Sequence, residues 1–371
     1  MIYALCSGEC PHVIIAIMKI RFSIILLVLT LTSCAPSTTE TPAASLPTPN
    51  ITIATMTPFS PQPAQATIAP SITPISTQTA AILDSPYAIP ALRQREYGGG
   101  RLEFVSEQPR GYELSRLNVQ YPSDGLNIHA RISTPDGEGP YPVVIAIHGY
   151  VPENAYAAPN HIFEEFDGLV QEGYIVIVPN MRNYPPSDYG DNRYRVGMAI
   201  DILNLIEIIK AQAGQPGLLE KADASRLGLW AHSMGGEIAL RVLTINDDID
   251  AALLYAPLGG DTLENTQVLY WLDPKPLFDE EIETPQHLLM NISPMNYFAN
   301  INAAIRLFHG SDDGVVPVIV SVKTCERLTG LGKNIECTFV PEQGHSFRSS
   351  YSATFGVEIS IFYETYLKNA Q

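Results

Sequence analysis

The sequence is poor in positive charge. Of its 371 residues, 22 are Lys or Arg and 39 are Asp or Glu, which gives a formal net charge of −17. Proteins that bind nucleic acid present clusters of Lys and Arg to the phosphates, so this balance argues against a nucleic-acid partner. Cysteine is scarce too, with five in the chain, and no Cys and His residues have the spacing of a metal site. We therefore expect no metal and no other cofactor.

Charged residues are missing altogether from residues 41–83, where Pro, Thr, Ser and Ala dominate. Such a segment cannot bury enough apolar surface to offset the entropy lost on ordering it. We therefore expect a disordered linker over residues 35–95 and a single folded domain over residues 96–371. That domain carries 36 acidic and 18 basic residues.

The apolar run near the N-terminus is short. It spans residues 22–31 and follows the basic residues Lys19 and Arg21, whereas a membrane-spanning helix needs about 20 apolar residues. The pattern is typical of a secretory signal that starts at Met18. The Leu-Thr-Ser-Cys ending at Cys34 resembles the lipobox of bacterial lipoproteins, which implies a lipid on Cys34 and an exported, membrane-anchored protein tethered by its linker. The alternative is an ordinary signal peptide or short anchor in which Cys34 is incidental.

Two cysteines, Cys325 and Cys337, lie in the folded domain. An exported protein meets an oxidising compartment, where two cysteines this close in sequence can form a disulfide. Two buried free thiols would fit the sequence equally well, because free cysteine behaves as a small apolar residue. Both alternatives stay open at this point.

The domain alternates between predicted strands and predicted helices. Alternating apolar residues predict a hairpin, and continuous apolar runs predict strands buried on both faces. The strands are expected at residues 117–121, 128–132, 142–147, 174–178, 226–230, 251–255, 304–308 and 336–340. Helices are expected at residues 162–171, 196–211, 236–244, 318–328 and 357–367. This alternation predicts a mostly parallel central sheet flanked by helices, with residues 259–303 as a small cap insertion.

Ser233 stands where a predicted strand meets a predicted helix, within Ala-His-Ser-Met-Gly-Gly. This matches the G-x-S-x-G nucleophile elbow with Ala231 in place of the first Gly. Small residues on either side let the strand and the helix approach closely while a strained turn lifts the serine hydroxyl above the sheet. We predict that Ser233 is a nucleophile.

Two further candidates follow later strands, Asp313 and then His345. A serine hydroxyl needs a base, so His345 would take its proton and later return it to the leaving group. A carboxylate must orient the imidazole, and we favour Asp313 because the loop then reads Asp-x-x-Val-Pro. The alternative is Asp312, which would otherwise be a solvated turn residue.

An oxyanion hole needs two backbone N–H groups aimed at the developing charge. Met234, directly after the predicted nucleophile, would supply one. Tyr150 would supply the other, because Gly149 lets the backbone turn inward after a buried strand. His148 could act as a base, although a brace for the loop is the simpler interpretation.

These motifs together resemble the catalytic domain of the prolyl oligopeptidase type and the dienelactone-hydrolase-like esterases, over residues 115–369. The resemblance implies an α/β-hydrolase fold, with Ser233, Asp313 and His345 as a triad that forms an acyl-enzyme. His-Ser-Met-Gly-Gly at the elbow is commoner in esterases and lipases than in the peptidases, and the domain is too short to include a propeller. Small ester, thioester or amide substrates are therefore favoured.

Other residues have two interpretations. Arg182 and Tyr184 would line the pocket or form a turn packed on the cap. The cap aromatics would form an apolar acyl site or only the small core of the cap; they are Tyr270, Trp271 and Phe278. Residues 279–281, Asp-Glu-Glu, are expected to form a solvated face.

The sequence thus predicts an exported serine hydrolase acting on a small ester or amide, with esters preferred. One alternative is a serine peptidase of the prolyl oligopeptidase type that acts on short peptides. The other is a binding or scaffold protein that keeps the fold without the chemistry.

Overall fold

The computed structural model of the chain describes residues 85–107, 115–152, 155–156 and 163–369. The predicted signal segment with Cys34, and residues 35–84 of the predicted linker, lie outside these residues. Their proposed roles therefore stay predictions.

A single sheet runs through the described residues. Its nine strands are β1 (Glu103–Glu107), β2 (Ser115–Ser123), β3 (Leu126–Thr134), β4 (Tyr141–Ile147), β5 (Ile175–Pro179), β6 (Ala222–His232), β7 (Ala251–Tyr255), β8 (Ala304–Gly310) and β9 (Ile335–Val340). Their spatial order is β1-β2-β3-β5-β4-β6-β7-β8-β9. The strands from β5 to β9 in this order pair in parallel, and the first three join them as an antiparallel extension. The predicted mostly parallel sheet is confirmed.

Helices pack on both faces of the sheet. They are α1 (Ile89–Gln94), α2 (Phe163–Gln171), α3 (Val196–Gln212), α4 (Met234–Ile245), α5 (Thr262–Leu272), α6 (Pro276–Ile282), α7 (Gln286–Ile292), α8 (Val318–Gly330) and α9 (Ser349–Tyr363). The 3₁₀ segments Arg193–Arg195 and Pro294–Asn300 and the π-helical turn Glu364–Lys368 complete the set.

The alternation of side chains along β4 shows how the sheet separates two cores. Val143 and Ile145 point into the larger core, on the side of α3 and α4. Val144 and Ala146 point into the smaller core, on the side of α2 and α9. Because successive side chains of a strand face opposite sides, a central strand covered on both faces must be apolar throughout. This explains the continuous apolar runs of the sequence.

The cap predicted at residues 259–303 lies between β7 and β8 and contains α5, α6, α7 and the following 3₁₀ segment. Asp261 begins α5 by accepting hydrogen bonds from the backbone N–H groups of Leu263 and Glu264, at 2.9 and 3.2 Å. The side chain thus pairs two donors that a helix N-terminus leaves open. The insertion is therefore a set of short helices over the carboxyl ends of the strands.

The boundary predicted after residue 95 lies too far along the chain. Ile89 and Leu92 of α1 are buried in the larger core, and Arg93 pairs with Asp247 at 3.0 Å. Residues 85–95 therefore belong to the folded body. The sequence predicted disorder here because the two apolar residues that pack this helix on the core follow a polar, Pro-rich segment.

Cys325 and Cys337 form a disulfide, which decides between the two alternatives that the sequence left open. The bond joins α8 to β9. Along the part of the chain that the structure describes, no helix is both long and apolar enough to cross a membrane.

Candidate active site

Ser233 occupies the sharp turn between β6 and α4. Its backbone angles are φ 55° and ψ −121°, a conformation that is costly for a residue with a side chain and is held by the surrounding packing. A Cβ atom on Gly235 would lie 2.2 Å from the Ile147 carbonyl oxygen, and one on Gly236 would lie 2.2 Å from Cβ of Pro257. Glycine at these positions is thus what lets α4 approach the ends of β4 and β7.

His345 contacts both other members of the predicted triad. Its Nε2 atom lies 2.9 Å from Oγ of Ser233, and its Nδ1 atom lies 2.8 Å from Oδ2 of Asp313. Among the hydrogen bonds described, Asp312 has none to His345, and its carboxylate accepts instead from the hydroxyl of Ser311. The three residues follow β6, β8 and β9, so the edge at which parallel strands end brings them together.

Asp313 is surrounded by donors. Its Oδ1 atom accepts from the backbone N–H groups of Val315 and Val316, at 2.8 and 2.9 Å. Its Oδ2 atom lies 3.0 Å from Nε2 of His309 as well as beside His345. Burial by itself would raise the pKa of Asp313, but the hydrogen bonds from His309 and His345 outweigh burial and hold that pKa below its usual range. The group is a carboxylate at neutral pH.

His309 is a site residue that the sequence reasoning missed. It is fully buried, and its Nδ1 atom lies 2.7 Å from Oγ of Ser321 on α8. Its Nε2 atom lies within 3.0 Å of both the Val316 carbonyl oxygen and Asp313. Both of these are acceptors, so the proton belongs on Nε2. The available signal was a histidine near the end of β8, four residues before the aspartate.

The predicted oxyanion donors lie beside Ser233. Met234 is the first residue of α4, and a Cβ atom on Gly149 would lie 2.9 Å from Cβ of Ser233, so the loop carrying Tyr150 reaches the nucleophile. Within the described ranges, the backbone N–H groups of Tyr150 and Met234 have no protein acceptor. An anionic oxygen near Ser233 could therefore accept from both.

His148 braces this loop. It is buried, with Nδ1 at 2.7 Å from the Gly149 carbonyl oxygen and Nε2 at 2.9 Å from the Asn180 carbonyl oxygen. Burial lowers the pKa of His148. Because its ring nitrogens are both engaged by backbone carbonyls, it is not placed to take a proton from Ser233.

A small cavity of about 60 Å³ opens between the oxyanion donors and the cap. Met234, Leu269 and Phe278 form much of its apolar wall, and Tyr150, Tyr184 and Arg195 also line it. A larger cavity of about 400 Å³, between α5 and α8, contains none of the predicted site residues.

Of the loop and cap residues with two interpretations, some line the small cavity and others do not. Tyr184 lines the small cavity, but Arg182 is buried and pairs with Asp201 at 2.8 Å, so Arg182 is structural. Phe278 lines the cavity as well, whereas the side chain of Trp271 is 66% exposed. Only Phe278 of the three cap aromatics is placed to contact a bound group.

Glu281 was wrongly predicted to be solvated. It is buried on α6 and pairs with Arg195, which also contacts Glu237 of α4 at 3.1 Å. Burial alone would lower the pKa of Arg195, but the two carboxylates raise it above its ordinary value. This ion network ties the cap to the helix that begins at the nucleophile elbow.

Metal ligands do not gather in the described residues, where no three His, Cys, Asp or Glu side chains are arranged to hold an ion.

Residues 128–368 match the family model of the dienelactone hydrolase family. The chain belongs to this family. Its fold is the α/β-hydrolase fold predicted from the sequence. Membership of this family supports a hydrolase.

Both esterases and peptidases are similar to this chain of the dienelactone hydrolase family. It is 24% identical over 277 residues to the "Uncharacterized peptidase YuxL" of Bacillus subtilis, covering 70% of this chain and 39% of that protein. The chain thus spans about two fifths of the length of this relative. In structure it is similar to an acetyl xylan esterase from Paenibacillus sp. R4, with a TM-score of 0.55 at 21% identity, covering 75% and 92% of the two chains.

A peptidase has the same fold. The acylaminoacyl peptidase of Pyrococcus horikoshii gives a TM-score of 0.53 at 18% identity, covering 74% of this chain and 51% of that one. At these identities the structural likeness concerns the fold alone.

Proposed function

We propose that the chain is an exported serine hydrolase that cleaves small esters through an acyl-enzyme on Ser233. The observation that carries the proposal is the continuous contact from Ser233 Oγ through the His345 ring to Asp313, at 2.9 and 2.8 Å. A hydroxyl, a base and an orienting carboxylate within hydrogen-bond reach are what nucleophilic acyl transfer requires.

In the first half of the reaction, Nε2 of His345 takes the proton of Ser233 as Oγ attacks the substrate carbonyl carbon. The carbonyl oxygen becomes an anion and accepts hydrogen bonds from the N–H groups of Tyr150 and Met234. His345 then gives its proton to the leaving alcohol as the bond to that alcohol breaks. Asp313 holds the Nδ1–H tautomer and stabilises the imidazolium.

In the second half, water replaces the alcohol. His345 takes a proton from the water as its oxygen attacks the acyl carbon, and returns that proton to Ser233 Oγ when the acyl group leaves as an acid. The small cavity is lined by Tyr150 and Met234, the neighbours of the nucleophile, and not by Ser233 or His345 themselves. We take it as the space for the acyl group, and its volume of about 60 Å³ favours short acyl groups, since a drug-sized ligand site has several hundred Å³.

Export and anchoring belong to the same proposal. The lipobox-like ending at Cys34 supports them, and so does the Cys325–Cys337 disulfide, because structural disulfides persist mainly in oxidising compartments. The linker before the folded body would then hold the enzyme away from the membrane surface.

A peptidase of the prolyl oligopeptidase type is the second candidate. The similarity to the peptidase YuxL favours it, and the triad and oxyanion donors would act on an amide in the same way. An amide has a poorer leaving group, so the protonation by His345 would matter more.

A fluorophosphonate probe tests the central claim. The full chain should be labelled, and Ser233→Ala should abolish the labelling, whereas a folded wild-type chain without labelling would indicate the inactive scaffold. p-Nitrophenyl esters of graded acyl length, compared with aminoacyl and X-Pro anilides, then separate the two enzymes. We expect short-chain esters to be hydrolysed fastest; faster turnover of the anilides would favour the peptidase.

A further inference from the structure

Two side chains, the half-buried His232 and the buried Tyr255, hold the backbone at His345 and just after it. Nε2 of His232, the last residue of β6, lies 3.1 Å from the His345 carbonyl oxygen. The hydroxyl oxygen of Tyr255, the last residue of β7, accepts a hydrogen bond from the backbone N–H of Phe347. The loop that presents His345 is thus held by side chains of two central strands.

The protonation of His232 follows from its partner. A carbonyl oxygen only accepts, so the proton of His232 is on Nε2. Burial, and then the positive charge that His345 can carry, lower the pKa of His232 to about 4. The unprotonated Nδ1 atom faces the backbone of Gly149, where a Cβ atom would lie 3.3 Å away. His232 is therefore a neutral donor to the loop, not a second base.

The rings form a stack beside the site. The centroid of the His232 ring lies 4.7 Å from that of His345 and 4.7 Å from that of Tyr255. Each residue also contacts the nucleophile through the backbone, because His232 precedes Ser233 and the Tyr255 carbonyl oxygen accepts from the Ser233 N–H at 3.1 Å. Any displacement of one strand end therefore affects the nucleophile and the base together.

We propose that His232 and Tyr255 are positioning residues that hold the His345 loop at the distance at which Nε2 can take the proton of Ser233. We call them the clamp residues. This inference rests on the proposed function of the triad. Neither clamp residue touches the reacting atoms; each acts through the backbone of the His345 loop and through ring contact.

Two substitutions of His232 separate the hydrogen bond from the packing. His232→Phe keeps an aromatic ring and removes the donor, whereas His232→Gln keeps an N–H donor of similar reach. Because small misplacements of a catalytic group are costly, we expect His232→Phe to lower kcat by about tenfold to 100-fold with KM unchanged. The rate of fluorophosphonate labelling of Ser233 should fall in parallel, and His232→Gln should recover part of both.

Tyr255→Phe provides a second, independent variant, which removes the acceptor of the Phe347 N–H and keeps the ring. It should also lower kcat without changing KM. Since both clamp residues hold one loop, the double variant should lose less than the product of the two single losses.

Phe355→Leu on α9 is the matched control. Its ring packs against Tyr255 and Phe347, with centroids 4.7 and 5.1 Å apart, but it makes neither clamp hydrogen bond. It should lower Tm and leave kcat at the wild-type value.

Any of three results would contradict the role of the clamp residues. The first is a wild-type kcat in both His232→Phe and Tyr255→Phe. The second is a kcat for His232→Gln no higher than that of His232→Phe, and the third is a loss of kcat in Phe355→Leu as large as in the clamp variants. Each presupposes a wild-type chain that the probe labels at Ser233. A wild-type chain that is never labelled contradicts the triad itself, so failure of the clamp and failure of the proposed function are distinguishable.

Discussion

Asp313 uses its full capacity as an acceptor. Each carboxylate oxygen has two donors within 3.0 Å, two backbone N–H groups on Oδ1 and the rings of His309 and His345 at Oδ2. An ionised carboxylate is acceptor-only, and so it matches this environment, whereas an amide would turn an NH₂ group toward one pair of donors. The donors around Asp313 keep it ionised, and the ionised carboxylate determines which tautomer His345 adopts.

Asp313→Asn should therefore lower kcat on the order of 10⁴-fold, because the amide no longer holds the Nδ1–H tautomer of His345. The measurement is steady-state hydrolysis of a short-chain p-nitrophenyl ester. Asp312→Asn is the matched control and should keep the wild-type kcat, since that carboxylate contacts only Ser311 Oγ among the hydrogen bonds described. The opposite ranking of the two variants would reassign the orienting carboxylate to Asp312.

The cap is attached by charge as well as by apolar packing. Glu281 of α6 receives hydrogen bonds from the Tyr194 N–H at 2.6 Å and from Oγ1 of Thr266 at 2.9 Å, besides its pairing with Arg195. Removing one member of a buried pair leaves the other charge uncompensated in a medium that solvates it poorly. The attachment of the cap thus depends on Glu281, which lies far along the chain from its partner Arg195.

Glu281→Gln should lower the free energy of unfolding by roughly 3 kcal/mol, because Arg195 then keeps a buried charge with one carboxylate fewer. Glu280→Gln is the matched control on the same helix. Glu280 pairs with Arg193 at 2.6 Å at an exposed position, and such pairs contribute less than about 1 kcal/mol.

Urea unfolding of both variants measures the difference. Equal losses would show that the buried network does not hold the cap. We also expect Glu281→Gln to raise KM for short-chain esters, since Arg195 and Phe278 line the cavity.

For the whole molecule, much of the architecture is predictable because the physics is local. Continuous apolar runs such as that of β4 identify strands buried on both faces. The positions of Ser233, Asp313 and His345, each just after the end of a parallel strand, predict that they meet at one edge. Contacts between distant residues that belong to no recognisable motif are not predictable in this way. Glu281 lies 86 residues from Arg195, and in isolation an Asp-Glu-Glu run looks solvated.

The clamp residues and α1 were missed for the same reason. In the sequence His232 occupies a variable position of the elbow motif, and its hydrogen bond to the His345 carbonyl, 113 residues away, is not predictable from that motif. The apolar residues of α1 follow a Pro-rich segment that suggests disorder, and only their burial against the body shows otherwise.

The effect of the disulfide on the stability of the whole fold can be tested. Cys325 and Cys337 are 12 residues apart, and closing a loop of that length stabilises a fold by about 3 kcal/mol in the chain-entropy model. Reduction with a phosphine should therefore shift the urea midpoint of the wild-type chain downward. The variant Cys325→Ser with Cys337→Ser should start at the lower midpoint and show no response to the reductant; a wild-type chain equally indifferent to reduction would contradict a stabilising bond.

The proposed chemistry depends on residues that are far apart along the polypeptide, with Ser233 and His345 separated by 112 positions. During synthesis, Ser233 therefore emerges from the ribosome long before His345. On the proposed mechanism, Ser233 has no base until β9 has joined the sheet and brought His345 within 2.9 Å of it. Hydrolysis of an ester would then begin only after the last strand is in place, so an incompletely folded chain would be inactive.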